Sequence, residues 1–241
     1  MKKFFLLALC AVAALSLYSC KESLVESETE QYEMPAKMVE MSFTGTLDTG
    51  TKTAFNKYTG KTQWLSNDAI NIVGARTRTY AQASNISSDR GHATFRADVV
   101  EGEQLYAFYP YNPDGVTLNG ERIRFSISNS QDGEFGTANI AAAKASNGNF
   151  YFRNATTVFQ FTVDLKKYPN AAKVRVEAIR SSERMTGAFF ADFTDDEFTV
   201  TRDGSGSSRF VTADLSSLQG NDSRTAYISV APVSYSQGVK F

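Results

Sequence analysis

From residue 41 onward, apolar and polar residues alternate along the chain with a period of two. The runs 93–99, 122–127, 159–165 and 173–177 each place apolar side chains on one face and polar side chains on the other. This period is typical of half-buried β-strands, whereas an amphipathic helix repeats every 3.6 residues. Asn-Gly and Asp-Gly pairs, which favour tight turns, separate the runs. The pattern therefore predicts an all-β fold, an antiparallel β-sandwich.

The alternation also predicts which side chains form the core. The candidates lie on the apolar side of each run: Trp64, Ile70, Ile72, Phe95, Phe125, Phe159 and Phe161. Only the stretch 140–145 looks helical, and it is too short to change the fold class.

A loop-like segment at 129–149, rich in Asn, Gly, Ser and Ala, separates two sets of alternating runs. A boundary there gives a first β-sandwich domain at 41–145 and a second at 149–241. Because the alternation runs to the last residue without a closing turn, we expect the second domain to be incomplete. The alternative is one larger sandwich with a long excursion.

The first twenty residues have the pattern of a bacterial lipoprotein signal peptide. Two lysines precede an apolar stretch at 4–17, and the Leu-Tyr-Ser-Cys sequence at 17–20 resembles a lipobox. In such a box the cysteine thiol is diacylated and the preceding peptide bond is cut, so residues 1–19 form the signal peptide and Cys20 becomes the first mature residue. The alternative is an ordinary secretory signal in which this cysteine is incidental.

Residues 20–40 form a predicted flexible tether. Between residues 22 and 30, Ser and Thr alternate with Glu, and this composition buries too little apolar surface to order itself. An acidic stretch behind a lipidated cysteine resembles the export signals that send lipoproteins to the outer face of the outer membrane in Bacteroidota. A solvated spacer that carries no address is the alternative.

Composition limits the chemistry available to the chain. Its 241 residues are 42% hydrophobic and carry a formal charge of −1, with no basic run that would track a phosphate backbone, so we expect no nucleic-acid partner. A single histidine, His92, and two cysteines leave Ser–His–Asp catalysis and multi-ligand zinc sites without their usual donors. We therefore predict no enzymatic activity, no cofactor and no metal.

Four features remain as candidate sites, each with a plainer interpretation. His92 could act as a base, but it has no orienting partner nearby in sequence and is expected at the surface. The acidic run 195–197 could bind calcium, yet it lacks loop spacing and favours a solvated turn. The Gly-Ser stretch 204–208 predicts a flexible hairpin loop. The aromatic row 105–111 predicts either a sugar-stacking platform or a strand with alternate rings buried.

Three segments in this order resemble the fimbrillin family of Bacteroidota surface lipoproteins. They are Trp-Leu-Ser-Asn-Asp-Ala-Ile-Asn-Ile at 64–72, Ala-Phe-Tyr-Pro-Tyr at 107–111 and Phe-Arg-Asn-Ala-Thr-Thr-Val-Phe-Gln-Phe at 152–161. Met-Thr-Gly at 185–187 and Val-Ala-Pro at 230–232 resemble the second half of that family. Together with the lipobox, the resemblance covers most of the chain.

The resemblance implies a non-enzymatic structural subunit of fimbriae (pili), or a fimbria-associated adhesin, built from two transthyretin-like modules. Such subunits are exported as outer-membrane lipoproteins, trimmed by a trypsin-like protease and assembled by β-strand exchange. Here 41–47 would be the strand removed, with Lys52 as the candidate maturation cleavage site. The first arginine in the chain is Arg76, so the family's usual arginine site is absent. Cleavage at lysine and retention as a lipidated anchor or accessory subunit both stay open.

For strand exchange we expect 41–47 at a sheet edge and Lys52 in an exposed loop. The competing outcome is a central strand with Lys52 buried in pairing, which would confine the protein to an anchor or binding role. The expected partners are other fimbrial subunits, the outer membrane through the Cys20 lipid, and ligands on host or bacterial surfaces. Two rival functions are a surface glycan-binding lipoprotein, which needs an exposed aromatic face, and a hydrolase, which needs paired carboxylates. The sequence offers no clear carboxylate pair.

Overall fold

A computed structural model describes residues 36–47, 54–55, 62–195, 198–204 and 206–241. The described residues form an all-β protein, which confirms the predicted fold class. The elements in chain order are β1 (Met38–Leu47), β2 (Ala54–Phe55), β3 (Thr62–Gln63), β4 (Ala69–Val73), β5 (Arg78–Gln82), β6 (His92–Val100), β7 (Tyr106–Tyr109), β8 (Thr117–Asn119), β9 (Arg122–Ile127), β10 (Ser130–Gln131), α1 (Phe135–Ala138), β11 (Ala141–Ser146), β12 (Asn149–Asn154), β13 (Thr157–Asp164), β14 (Lys173–Ala178), β15 (Gly187–Asp192), β16 (Thr199–Arg202), β17 (Phe210–Asp214), β18 (Ser223–Val230) and β19 (Val239–Lys240).

The largest sheet has seven strands in the order β5-β4-β7-β11-β12-β1-β6. Just beyond the end of β5, Ser84 meets Thr94 of β6, and their backbones exchange hydrogen bonds of 2.8 and 2.7 Å. The sheet therefore curves around a first core. That core contains Phe43, Leu47, Trp64, Ile70, Ile72, Phe95, Val99, Leu105, Tyr109, Phe150 and Phe152 among its members.

A second core lies on the other face of this sheet. Tyr106 and Phe108 of β7 point into it and meet Phe125 and Phe189 from a four-stranded sheet in the order β16-β15-β9-β8. Strands β4, β7 and β11 are thus buried on both faces. Strands in that position read as continuous apolar runs, because neither face meets water.

The stretch 140–145 that looked helical belongs to this middle layer. Residues Ala141–Ser146 form strand β11, and the only helix among the described residues is the four-residue α1. Ala141 and Ala143 face the first core while Ala142 faces the second, and all three are fully buried. The prediction of a helix is wrong. A strand with small apolar side chains on both faces shows no alternation of apolar and polar residues, so its sequence does not identify it as a strand.

A third core lies between the antiparallel pair β13–β18 and a sheet in the order β10-β17-β14-β19. Phe159 and Phe161 of β13 face this core but are only partly buried. Among the named strands, β13 pairs with β18 alone, so its apolar face is covered less completely than the faces of central strands. The other predicted core residues are buried: Trp64, Ile70, Ile72, Phe95 and Phe125.

The predicted boundary between 145 and 149 falls inside the β11–β12 hairpin. Residues Asn147 and Gly148 both have positive φ and form its turn, so the loop-like composition there marks a tight reversal. Pairing crosses the boundary in both directions, since β12 joins the first sheet and β9 pairs with β15. The side chain of Gln131 also hydrogen-bonds the backbone N–H and C=O of Ser229, each at 2.8 Å.

Candidate functional site

The N-terminal strand β1 occupies a slot between two strands of the first sheet. It runs antiparallel to β6, from Met38 opposite Val100 to Thr46 opposite His92, and parallel to β12, from Thr44 opposite Asn149. The ladder with β12 ends at Leu47, opposite Phe152, and therefore covers Thr44–Leu47 only. The expectation that 41–47 lies at a sheet edge is wrong for these residues, whereas Met41–Phe43 pair with β6 alone among the described strands. Because β1 pairs on both sides over Thr44–Leu47, its removal would expose two unpaired backbone ladders rather than one.

The C-terminal half of β1 carries the side chains that enter the core. Phe43 and Leu47 are buried there, and the Phe43 ring packs against Phe150 of β12 with centroids 4.9 Å apart. The N-terminal half is different, because Met38 is mostly exposed and Met41 is partly exposed. Half of the strand is thus held by core packing and the other half mainly by backbone pairing.

Trp64 lies beneath the slot and is fully buried. Its ring makes edge-on contacts with Phe95, Tyr109 and Phe152, at centroid distances of 5.1, 5.6 and 5.4 Å. Its indole N–H donates a 3.1 Å hydrogen bond to the carbonyl oxygen of Gly45 in β1. The three segments that carry the family resemblance therefore contribute Trp64, Tyr109 and Phe152 to one cluster, which also holds β1.

Gly45 is required at this point because the neighbouring rings leave no room for a side chain. A Cβ atom placed on Gly45 would stand 2.5 Å from Cε2 of Phe95 and 3.4 Å from Cε2 of Phe152. Phe95 is itself fully buried and packed against Trp64, so its ring has nowhere to move. The slot is therefore shaped to accept glycine at one position of the inserted strand.

We expect Gly45→Val to lower the free energy of unfolding by about 1–3 kcal/mol, the usual range for overpacking a core. Thermal or urea unfolding of the full chain, followed by far-ultraviolet circular dichroism, measures the change. Thr44→Val is the matched control, since Thr44 is the exposed neighbour on the same strand. Equal stabilities of the two variants would contradict the steric account of the slot.

The turn that follows Trp64 is fixed by a buried carboxylate. Asp68 accepts a 2.7 Å hydrogen bond from the backbone N–H of Leu65 and a 3.0 Å hydrogen bond from the hydroxyl of Tyr109. Burial raises the pKa of Asp68 above its ordinary value, and these hydrogen bonds oppose the rise only in part. Burial also raises the pKa of Tyr109, and the carboxylate beside it adds to the effect. The pair anchors β7 to the turn and keeps the phenol protonated.

A second buried carboxylate, Glu177 of β14, is surrounded by cations. Nitrogens of Arg209, Arg175 and Lys240 lie 2.5, 3.1 and 3.7 Å from its oxygens. Burial raises the pKa of Glu177, but the three cations outweigh it and hold that pKa below its ordinary value. A carboxylate kept ionised in this way suits a structural ion-pair cluster, and it cannot act as a general acid near neutral pH.

The other sequence candidates do not converge on one place. His92 is exposed at the start of β6, where its Nδ1 lies 3.0 Å from the Thr46 hydroxyl. Asp195 is exposed, while the rest of the acidic run lies outside the described residues. Gly204 and Gly206 are exposed and have positive φ, but the flanking strands β16 and β17 belong to different sheets. The predicted hairpin loop is therefore wrong, because this segment connects two sheets. Cys20 and Lys52 also lie outside the described residues.

The aromatic row is divided between core and surface. Tyr106 and Phe108 are buried in the second core and Tyr109 is buried in the first. Tyr111 is exposed beyond the end of β7. Its ring lies 5.4 Å from that of Tyr80 on β5. Sequence reasoning missed Tyr80; the signal was its place between Thr79 and Ala81, where alternation puts it on the face opposite the buried alanine.

Protein-family models, curated proteins and solved structures were all compared with the chain, and none matches it. Within the part of the chain that the structure describes, no cluster of three or more His, Cys, Asp and Glu side chains could hold a metal ion. The same residues contain no helix long and apolar enough to span a membrane.

Proposed function

We propose that this chain is a non-enzymatic subunit of a surface fimbria, or an adhesin attached to one, held to the outer membrane through a lipid on Cys20. In this proposal, β1 is a replaceable strand, and a strand from another subunit takes its place when subunits assemble. The observation that carries the proposal is the slot between β12 and β6, which holds β1 and closes over Trp64.

The pairing of β1 supports a strand that can be supplied from outside. Strands β1 and β12 are parallel and are not joined by a short turn. The chain connection therefore does not require that the strand beside β12 come from the same molecule. Backbone hydrogen bonds to both neighbours supply affinity, and the pockets for Phe43 and Leu47 with the tight fit at Gly45 supply specificity. These are the properties that β-strand addition requires.

The central position of β1 makes exchange slower than it would be at an edge. Two ladders and the apolar contacts of Phe43 and Leu47 must break before the strand leaves. The same contacts make the occupied slot durable, since an incoming strand regains all of them. Exchange at this central position therefore requires that β1 first be cut from the chain that follows it, and without that cut the central strand favours an anchor or binding role.

The proposal predicts that cutting after Lys52 produces higher oligomers. The full chain is digested briefly with trypsin, the cut is located by mass spectrometry, and the products are sized by light scattering. Lys52→Gln is the matched variant, which distinguishes this cut from cuts at the nearby Lys57 and Lys61. We expect the parent chain to form a ladder of oligomers and the variant to form fewer of them.

A peptide with the sequence of Met38–Leu47 provides the control for mechanism. Added in excess after cleavage, it should occupy the slot and suppress the ladder, whereas the same peptide with Gly45→Trp should have no effect. Cleavage that leaves only monomers, or that unfolds the protein, would exclude polymerisation and leave an anchor or binding role. Resistance of Lys52 to cleavage would likewise exclude polymerisation.

A further inference from the structure

A second surface of the molecule, formed by residues outside β1, has the features of a ligand site. Tyr80 and Tyr111 are 58% and 39% exposed, and their ring centroids lie 5.4 Å apart with the ring planes tilted by 44°. They border a cleft of about 310 Å³. Two exposed tyrosines at a concave surface indicate a ligand site, because large aromatic side chains are usually buried.

The cleft beside the two rings is polar and rigidly built. Asn71 is buried, its amide nitrogen donates to the carbonyl oxygen of Asn112 at 3.1 Å, and its amide oxygen accepts from the Asn112 N–H at 2.8 Å. The backbone N–H of Tyr111 donates to the carbonyl oxygen of Ala69 at 2.9 Å. The loop that carries Tyr111 is therefore fastened to β4, which also pairs with the strand of Tyr80.

Arg78 and Thr79 complete the polar border. The guanidinium of Arg78 is held by the carbonyl oxygens of Gly74 and Thr77, and it lines the same cleft. No Asp or Glu is among the lining residues within the described chain. The site thus combines two aromatic faces with amide, hydroxyl and guanidinium groups around them.

We propose that Tyr80 and Tyr111 form a binding site for a pyranose carbohydrate. A pyranose ring presents C–H groups on its faces and hydroxyl groups around its edge. The faces suit the negative face of a tyrosine ring, and the edge suits hydrogen-bonding side chains beside it. An apolar peptide would instead need a row of aliphatic pockets, and the lining contributes only Val73, Val116 and Pro113 of that kind. The chemistry of the cleft therefore favours sugar.

The site does not depend on strand exchange, and it gives the proposed surface subunit a ligand class. Sugar binding is measured at equilibrium on the uncut chain, whereas strand exchange is measured by oligomer size after cleavage. Failure of one measurement leaves the other unaffected.

The test is isothermal titration calorimetry of the full chain with maltohexaose, xylohexaose, mannohexaose and hexagalacturonate. The first three are neutral and the fourth is acidic, so the set separates stacking alone from stacking with an anionic contact to Arg78. We expect at least one to bind, and Tyr80→Ala and Tyr111→Ala each to weaken that binding about tenfold. Tyr80→Phe, which keeps the ring, should bind nearly as well as the parent chain.

Tyr168→Ala is the matched control, since Tyr168 is 54% exposed but borders a different cleft. It should leave the dissociation constant unchanged. The proposal is overturned if none of the four sugars binds, if Tyr168→Ala weakens binding as much as Tyr80→Ala, or if a proline decamer binds through Tyr80 and Tyr111 while the sugars do not. Thermal unfolding of each variant confirms that exposed tyrosines can be removed without loss of fold.

Discussion

Replacing Trp64 with alanine will lower the free energy of unfolding by about 3–5 kcal/mol, the usual cost of truncating a buried aromatic residue. The indole is fully buried, contacts three other aromatic rings edge-on, and donates its N–H to the carbonyl oxygen of Gly45. Truncation opens a cavity and removes the hydrogen bond that joins the core to β1. The loss should therefore exceed the effect of any single substitution on the surface.

Guanidinium unfolding followed by far-ultraviolet circular dichroism measures this loss, because the variant no longer contains the chain's single tryptophan for fluorescence. Tyr151→Ala is the control; Tyr151 is exposed on β12 and its removal should change stability by no more than about 0.5 kcal/mol. Trp64→Phe should fall between the two. A loss below about 1 kcal/mol for Trp64→Ala would show that the slot does not depend on this ring.

Replacing Cys20 with alanine will release the protein from the membrane or leave it unprocessed. The thiol is the acyl acceptor of the proposed lipobox, and stable anchoring needs two chains, because one myristoyl chain supports only a reversible association constant of about 10⁴ M⁻¹. Fractionation of cells after a salt and carbonate wash measures the distribution, and incorporation of an alkyne-labelled fatty acid reports acylation.

Cys10→Ala is the matched control, since Cys10 lies within the apolar stretch of the signal peptide. It should leave both acylation and membrane association unchanged. If the Cys20→Ala chain remained in the washed membrane fraction, the lipid anchor would have to be abandoned, and some other attachment would be needed.

Alternation predicted strands well wherever one face of the sheet meets water. The run 122–127 is an example: Ile123, Phe125 and Ile127 are buried while Arg124 and Ser126 are exposed. It failed where both faces are buried, as at 141–146, since no polar face remains to set the period. The position of a strand relative to two cores depends on long-range packing, and a local pattern does not contain that information.

The slot itself was only partly predictable. The segment at 41–47 was identified as a strand, but its place between β6 and β12 depends on partners that lie far away in the sequence. The fit of Gly45 against Phe95 and the hydrogen bond from Trp64 are likewise products of packing. Tyr111 was part of a predicted aromatic row, whereas its contact with Tyr80 depends on β4, which pairs with the strand of Tyr80 and holds the backbone of Tyr111.

The parallel pairing of β1 with β12 also sets the order of events during synthesis. Thr44 pairs with Asn149, roughly a hundred residues later, so this ladder has a very high contact order. At a translation rate of about 5–20 residues per second, the first strand made waits on the order of 5–20 seconds for its second neighbour. During that interval Thr44–Leu47 lack the neighbour that later covers their second side. Under the proposed strand exchange, this is the stage at which a strand from a neighbouring subunit would compete with β12 for the open side of β1.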